Sequence, residues 1–232
     1  MMVVYHFAYD LTYFGYYQAN VFVGPWRTFA RITAILFVTL AGISLVISYS
    51  RLSTQVRGWY LFRKYLSRGL KLLGWGIVVS LTTWAFLGRP VIIFGILHLI
   101  GTATILVYPF LRLPRWTNLV IGIGAIASGL YLNRWPVQQP WLLLLGLRPP
   151  WLYQLDYFPL LPWLGVALLG VLAGQVLYPD GRRAFDAPDL QQWPPLQTLA
   201  RLGHHSLAIY LVHQPLLFGV LTLVSLAYAG SP

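Results

Sequence analysis

The sequence predicts an all-α protein, a polytopic transmembrane helix bundle of about seven spans. Three observations carry this expectation. The chain is 58% hydrophobic and only 9% charged, where soluble domains carry about 25% charged residues. Its apolar residues gather in runs close to the roughly 20 residues that cross a bilayer as a helix. Its Lys and Arg fall mainly between those runs, as in loops that flank membrane spans.

The runs lie at residues 1–17, 29–49, 69–88, 91–111, 116–133, 159–178 and 204–228. The first opens directly in apolar sequence, MMVVYHFAYDL, with no basic n-region and no A-x-A cleavage site. It therefore reads as a partial span whose start lies before Met1, and not as a cleaved signal peptide. The segment WLLLLGL at 141–147 is too short to cross and is soon followed by Pro149 and Pro150. It reads as an interfacial or re-entrant piece. Residues 1–232 are expected to form one transmembrane domain. No internal repeat is visible, which counts against the inverted-repeat transporters.

Loop charge orients the bundle. The stretch 50–71 carries Arg51, Arg57, Arg63, Lys64, Arg68 and Lys71. The turn LRLPR carries Arg112 and Arg115, and the stretch 179–203 carries Arg182, Arg183 and Arg201. In a seven-span arrangement these connections share one side and hold eleven of the sixteen basic residues. The positive-inside rule puts that side in the cytoplasm of a multi-pass cell-membrane protein. Trp26, Trp59, Trp116, Trp135, Trp141, Trp151 and Trp163 sit near run ends, as interface anchors do.

Several functions are excluded. The net charge of +11 does not indicate nucleic-acid binding, because the basic residues are spread through connections and not over one soluble face. The chain has no Cys, so it has no disulfide and no thiolate site. There is no HExxH, and no two histidines are spaced to share a helix face, so no metal is expected. GxSxG is absent, which removes the support for a serine nucleophile. The glycine pairs in GWGIV and GIGAI lie inside runs and read as helix-packing glycines.

What remains is a small set of polar groups where lipid would tolerate none. Ionisable residues inside spans are costly and mark functional sites by default. His6 precedes Asp10 by four residues, so the two share a helix face. His98 lies in FGILHLIG, Asp156 in DYFP before the sixth run, and Tyr210, His213 and Gln214 in the last run. With the orientation above, His6, Asp10, His98 and Asp156 are expected to converge in the outer half of the bundle, with His213 below them. Histidine exchanges a proton near neutral pH, and a carboxylate within reach fixes its tautomer. His6 and Asp10 are thus a candidate base and orienter, with His98 as a second candidate. A packing role is open for each, above all for His213, which can bond a neighbouring span. His204 and His205 suit headgroups or a phosphate.

The stretches YHFAYDL, FGILHLIG, DYFPLLPWLG and LGHHSLAIYLVHQPLL, in this order, resemble the bacterial branch of the heparan-α-glucosaminide N-acetyltransferase-like membrane proteins. That group is related to the membrane enzymes that O-acylate sugars. The resemblance covers nearly the whole chain, and the two C-terminal stretches are the most specific. It implies a multispan acyltransferase. An acyl group, typically acetyl, would pass from cytoplasmic acyl-CoA to an amino or hydroxyl sugar on the far side. A membrane histidine would do the chemistry. His6 matches the first-span histidine of the related acyltransferases, whose preceding basic residue would lie before Met1. The N-acetyltransferases proper carry their histidine in the loop after the first span, and TYFGYYQANVFVG has none.

With that resemblance, His6, Asp10 and His98 are the catalytic candidates, and Asp156, His213 and Tyr210 the acceptor-binding ones. Arg63, Lys64, Arg68, Lys71, Arg182 and Arg183 are the candidates for the CoA phosphates. For these basic residues, topogenic charge and contact with anionic lipid are the alternative. The expected partners are the bilayer and a small-molecule or glycan acceptor, with a homodimer left open. A proton-coupled transporter or flippase, or a noncatalytic membrane scaffold, is the competing reading.

Overall fold

The computed structural model describes residues 1–87, 92–135, 137–147, 149, 156–186, 188 and 193–229. Its α-helices run in the order α1 (Met2–Tyr13), α2 (Gly24–Ser53), α3 (Trp59–Leu87), α4 (Ile96–Leu106), α5 (Arg115–Leu132), α6 (Leu160–Leu177), α7 (Pro194–His204) and α8 (Ser206–Ala229). No strand occurs among the described residues. Arg148 and Asp189 lie outside them, as does Arg89.

Among the described residues, four helices are long and apolar enough to cross a membrane: Gly24–Ser53, Trp59–Phe86, Leu160–Leu177 and Ser206–Ala227. The other expected spans are shorter or more polar. The run 91–111 yields only the 11-residue α4, followed by a 3₁₀ turn over Tyr108–Arg112. Pro109 explains the change, because it has no N–H for an α-helical bond and its ring crowds the preceding turn. Outward-facing apolar side chains such as Leu40, Leu81, Trp84, Val120 and Leu223 are exposed, as side chains facing lipid would be.

Two boundaries correct the sequence reading. Residues 50–71 are not all loop. α3 begins at Trp59, so Arg63, Lys64, Arg68 and Lys71 stand on its first turns. Arg and Lys are good helix formers, and their long stems let the charge leave an apolar surface. The last run, 204–228, does not begin in one helix. α7 ends at His204, and α8 starts at Ser206. α7 is amphipathic, with Leu199 and Leu202 exposed and Arg201 and His204 in its last turn.

The helices group into two compact units, Met1–Ile35 with Ala187–Pro232, and Leu36–Asp186. The first pairs α1 with α8. The second contains α3 to α6 and the later part of α2, around a core that includes Leu61, Leu99, Leu168 and Val171. Lipid gives helices no hydrophobic reason to associate, so close backbone approach through small residues matters. A methyl added at Gly101 would stand 2.8 Å from the Gly69 carbonyl, which seats α4 on α3. One at Gly170 would stand 2.5 Å from the Thr39 carbonyl, which seats α6 on α2. Of the two sequence glycine pairs, Gly76 and Gly122 face a neighbour, whereas Gly74 and Gly124 face open space.

The segment 141–147 forms a 3₁₀ helix, Pro140–Leu145, closed by Gly146 at φ +101. That left-handed conformation favours glycine. Leu143 is buried, and its carbonyl accepts from the Tyr157 hydroxyl at 2.6 Å. A polar contact unforeseen in the sequence ties α5 to α6. The fully buried Asn118 donates to Gln175 Oε1 at 3.0 Å and to the Phe110 carbonyl at 3.2 Å.

Candidate active site

In the first unit, α1 and α8 bring His6 and His213 together. His6 Nδ1 lies 2.6 Å from His213 Nε2, and the rings are stacked with centroids 4.9 Å apart. The proton positions follow from what each nitrogen faces. His213 Nδ1 lies 3.0 Å from the Ile209 carbonyl and 2.7 Å from the Tyr210 carbonyl, one turn back on α8. A carbonyl can only accept, so His213 Nδ1 carries the hydrogen. In the neutral ring Nε2 then holds a lone pair, and His6 Nδ1 must donate to it. His6 Nε2 is left with its own lone pair, the form a general base requires.

Asp10 stands one turn beyond His6 and is fully buried. Its described hydrogen bond is not to His6. Gln214 Nε2 donates to Asp10 Oδ1 at 2.8 Å. Adjacent residues of α8 thus meet successive turns of α1: His213 meets His6 and Gln214 meets Asp10. Pro215 follows inside the helix and removes one backbone donor from the ladder. Tyr210 contributes its carbonyl to His213, and its ring lies 5.8 Å from the His213 ring.

His98 and Asp156 meet in the second unit, at the start of α4. The Gly95 amide donates to His98 Nδ1 at 3.3 Å, and the Ile96 amide donates to Asp156 Oδ2 at 3.2 Å. Both side chains thereby satisfy amides that a helix N-terminus leaves without intrahelical partners. His98 accepts at Nδ1, so its neutral ring carries the hydrogen on Nε2 and presents a donor there. Gly76 makes room for this ring, since a methyl there would stand 2.9 Å from it. Of the four residues expected to converge, His6 and Asp10 belong to the first unit, and His98 and Asp156 to the second.

Burial pushes the Asp156 carboxyl up to about 6, with the Ile96 amide pulling the other way. The folded chain then holds this proton more tightly than the unfolded chain, whose carboxyl titrates near 3.8. The group's contribution to stability is full below about pH 4 and is lost as pH rises to about 6. The melting temperature in detergent should fall across that window, and Asp156→Asn should remove this fall. Equal slopes in the two proteins would contradict the assignment.

The basic candidates also lie in the second unit. Arg63, Ser67 and Lys71 recur every four residues along α3 and, with Leu66 and Leu70, line an open groove of about 400 Å³. Lys64 and Arg68 are exposed on the same helix, outside the lining of that groove. Arg182 is exposed after α6, and Arg183 stacks over the Phe185 ring at 5.6 Å.

Long apolar helices, with a histidine pair bonded across two helices, are features of a membrane protein. The chain belongs to the family described as heparan-alpha-glucosaminide N-acetyltransferase, catalytic, whose model matches residues 1–215. It is therefore a transmembrane protein of an acyltransferase family, and the match includes His6, Asp10, His98, Asp156, His213 and Gln214. No curated protein and no solved structure matches it.

Proposed function

We propose that this chain transfers an acyl group, acetyl first among them, from acyl-CoA to the amino or hydroxyl group of a sugar or similar acceptor. The donor would enter from the cytoplasm, where the basic connections would lie, and the acceptor from the far side. The observation that carries the reading is the His6–His213 pair, with its lone pair on His6 Nε2, in a chain of an acetyltransferase family.

The chemistry needs a base and a place for charge. The acceptor nitrogen or oxygen attacks the thioester carbonyl carbon, and its proton passes to His6 Nε2. The C–S bond then breaks, and the leaving thiolate takes a proton back. While His6 is charged, its Nδ1–H points at His213 Nε2, which stabilises the imidazolium as a carboxylate does in a hydrolase triad. Asp10, one turn away, adds negative charge to the same helix face. His98, with its donor at Nε2, suits holding a carbonyl or hydroxyl oxygen better than accepting a proton.

Acetyl-CoA and glucosamine test the reading. Purified protein should release CoA thiol at a rate that depends on both. Absence of transfer to any amino or hydroxyl sugar, together with absence of CoA binding, would sink it.

The α3 groove supplies the phosphate contacts in this reading, because Arg and Lys bind phosphate through charge-assisted hydrogen bonds. Replacing Arg63 and Lys71 together by Gln should weaken CoA binding by roughly 10- to 100-fold and flatten its salt dependence. If CoA binds the double variant normally, the phosphates bind elsewhere, with Arg68 and Arg182 the next pair to replace.

A further inference from the structure

The short helix α7 has two faces and buries neither. At about 100° per residue, Leu196, Leu199 and Leu202 fall within about 120° of its circumference. Gln197, Thr198, Arg201 and His204 occupy the opposite arc. None of its residues is buried, and Leu199 and Leu202 are 64% and 52% exposed. A helix of this kind needs a partner for its apolar face, because propensity alone does not hold so short a helix in water.

The chain itself says what lies beneath that face. α7 is joined to α8 through His205 alone, whose φ of −97 and ψ of 12 leave helical geometry. α8 has 24 residues, about 36 Å, and crosses a hydrocarbon core of about 30 Å without help. α7 has 11 residues, about 16 Å, and is too short to cross. With no linker between them, α7 must stand where α8 meets the membrane boundary.

Charge and aromatic content fit the same place. α7 carries no Asp or Glu, while Arg201 and His204 occupy its last turn and His205 caps it. Trp193, at its start, is 55% exposed, and an indole is at home at headgroup level. Leucines on one face and basic groups on the other are the pattern of a helix lying in the plane of an interface. We propose that α7 is an in-plane docking helix for anionic phospholipid. Its leucines enter the boundary between headgroups and acyl chains, and Arg201 and His204 meet the phosphates.

The docked helix fixes Ser206 at the boundary. It thereby sets the depth at which α8 carries His213, seven residues or about 10 Å further along. The inference stands apart from the acyltransferase reading, because it concerns how α8 is held and not what is transferred.

The chain has no Cys, so single reporters can be placed without removing any. Leu199→Cys and Thr198→Cys, on opposite faces of the exposed helix, are labelled with an environment-sensitive fluorophore. Leu202→Cys is a second reporter for the apolar face. The full chain is reconstituted in vesicles of phosphatidylcholine, with and without phosphatidylglycerol. Lipids carrying a nitroxide near the headgroup should quench the labels at 199 and 202, and aqueous iodide should quench the label at 198. Phosphatidylglycerol should raise the ratio of docked to undocked helix by about fivefold through Arg201, the usual effect of one basic charge near an anionic surface. Arg201→Gln should remove that rise while the leucine-face labels keep their lipid contact in part. Iodide reaching positions 198 and 199 equally would overturn the proposal. So would docking that is the same in both lipids, or that Arg201→Gln leaves unchanged. Protection at 199 that grows with protein density and resists the nitroxide lipids would assign the face to a second copy of the chain instead.

Discussion

His6→Ala should lower acetyl transfer by about 10² to 10⁴-fold, the usual contribution of a general base. It should do so while leaving the protein folded, because His6 is only half-buried and its replacement removes a ring from the edge of the α1–α8 contact. The argument rests on the hydrogen-bond chain. Two α8 carbonyls fix His213, His213 fixes His6, and the remaining lone pair is on His6 Nε2. His98 has no such arrangement, because the Gly95 amide occupies its Nδ1. Turnover of the two alanine variants, measured with acetyl-CoA and glucosamine at several pH values, separates them. If His6→Ala keeps near-normal turnover while His98→Ala loses it, the base sits on α4.

What the sequence made legible was set by how local the signal is. Helical class and membrane residence follow from composition and from apolar runs, which are properties of single segments. The run 159–178 became Leu160–Leu177 almost unchanged. Helix ends were harder to place, because basic residues at a membrane boundary are as compatible with the first turns of α3 as with a loop. The candidate site shows the same division. The i, i+4 spacing put His6 and Asp10 on one face, and the expected base–orienter pair followed from it. Which residue each one meets depends on α8, about two hundred positions away. Only tertiary packing assigns His213 to His6 and Gln214 to Asp10. Gln214 was visible as a polar residue in an apolar run, but nothing local distinguished it from its neighbours. Asn118 and Gln175 were visible in the same way, in WTNLVIG and LAGQVL. A lone amide inside an apolar run implies a partner, and sequence alone does not say which.

Replacing His213 tests whether the second imidazole orients the first. His213→Ala should cost roughly 10- to 100-fold in turnover, the worth of a buried hydrogen bond to a charged group. The loss has two origins. The His6 Nδ1–H loses its acceptor when the imidazolium forms, and the neutral ring becomes free to carry its hydrogen on Nε2, which removes the base. Gln is the informative replacement, because its terminal amide reaches about as far as Nε2 and can present an oxygen to His6 Nδ1–H. His213→Gln should therefore recover most of the activity lost in His213→Ala. The effect should fall on kcat more than on KM, since the bond strengthens only as His6 takes up a proton. Full activity in His213→Ala would show that His6 needs no orienter. If His213→Gln is as impaired as His213→Ala, the second ring must share the proton itself, because an amide oxygen can accept the hydrogen bond but cannot carry the charge.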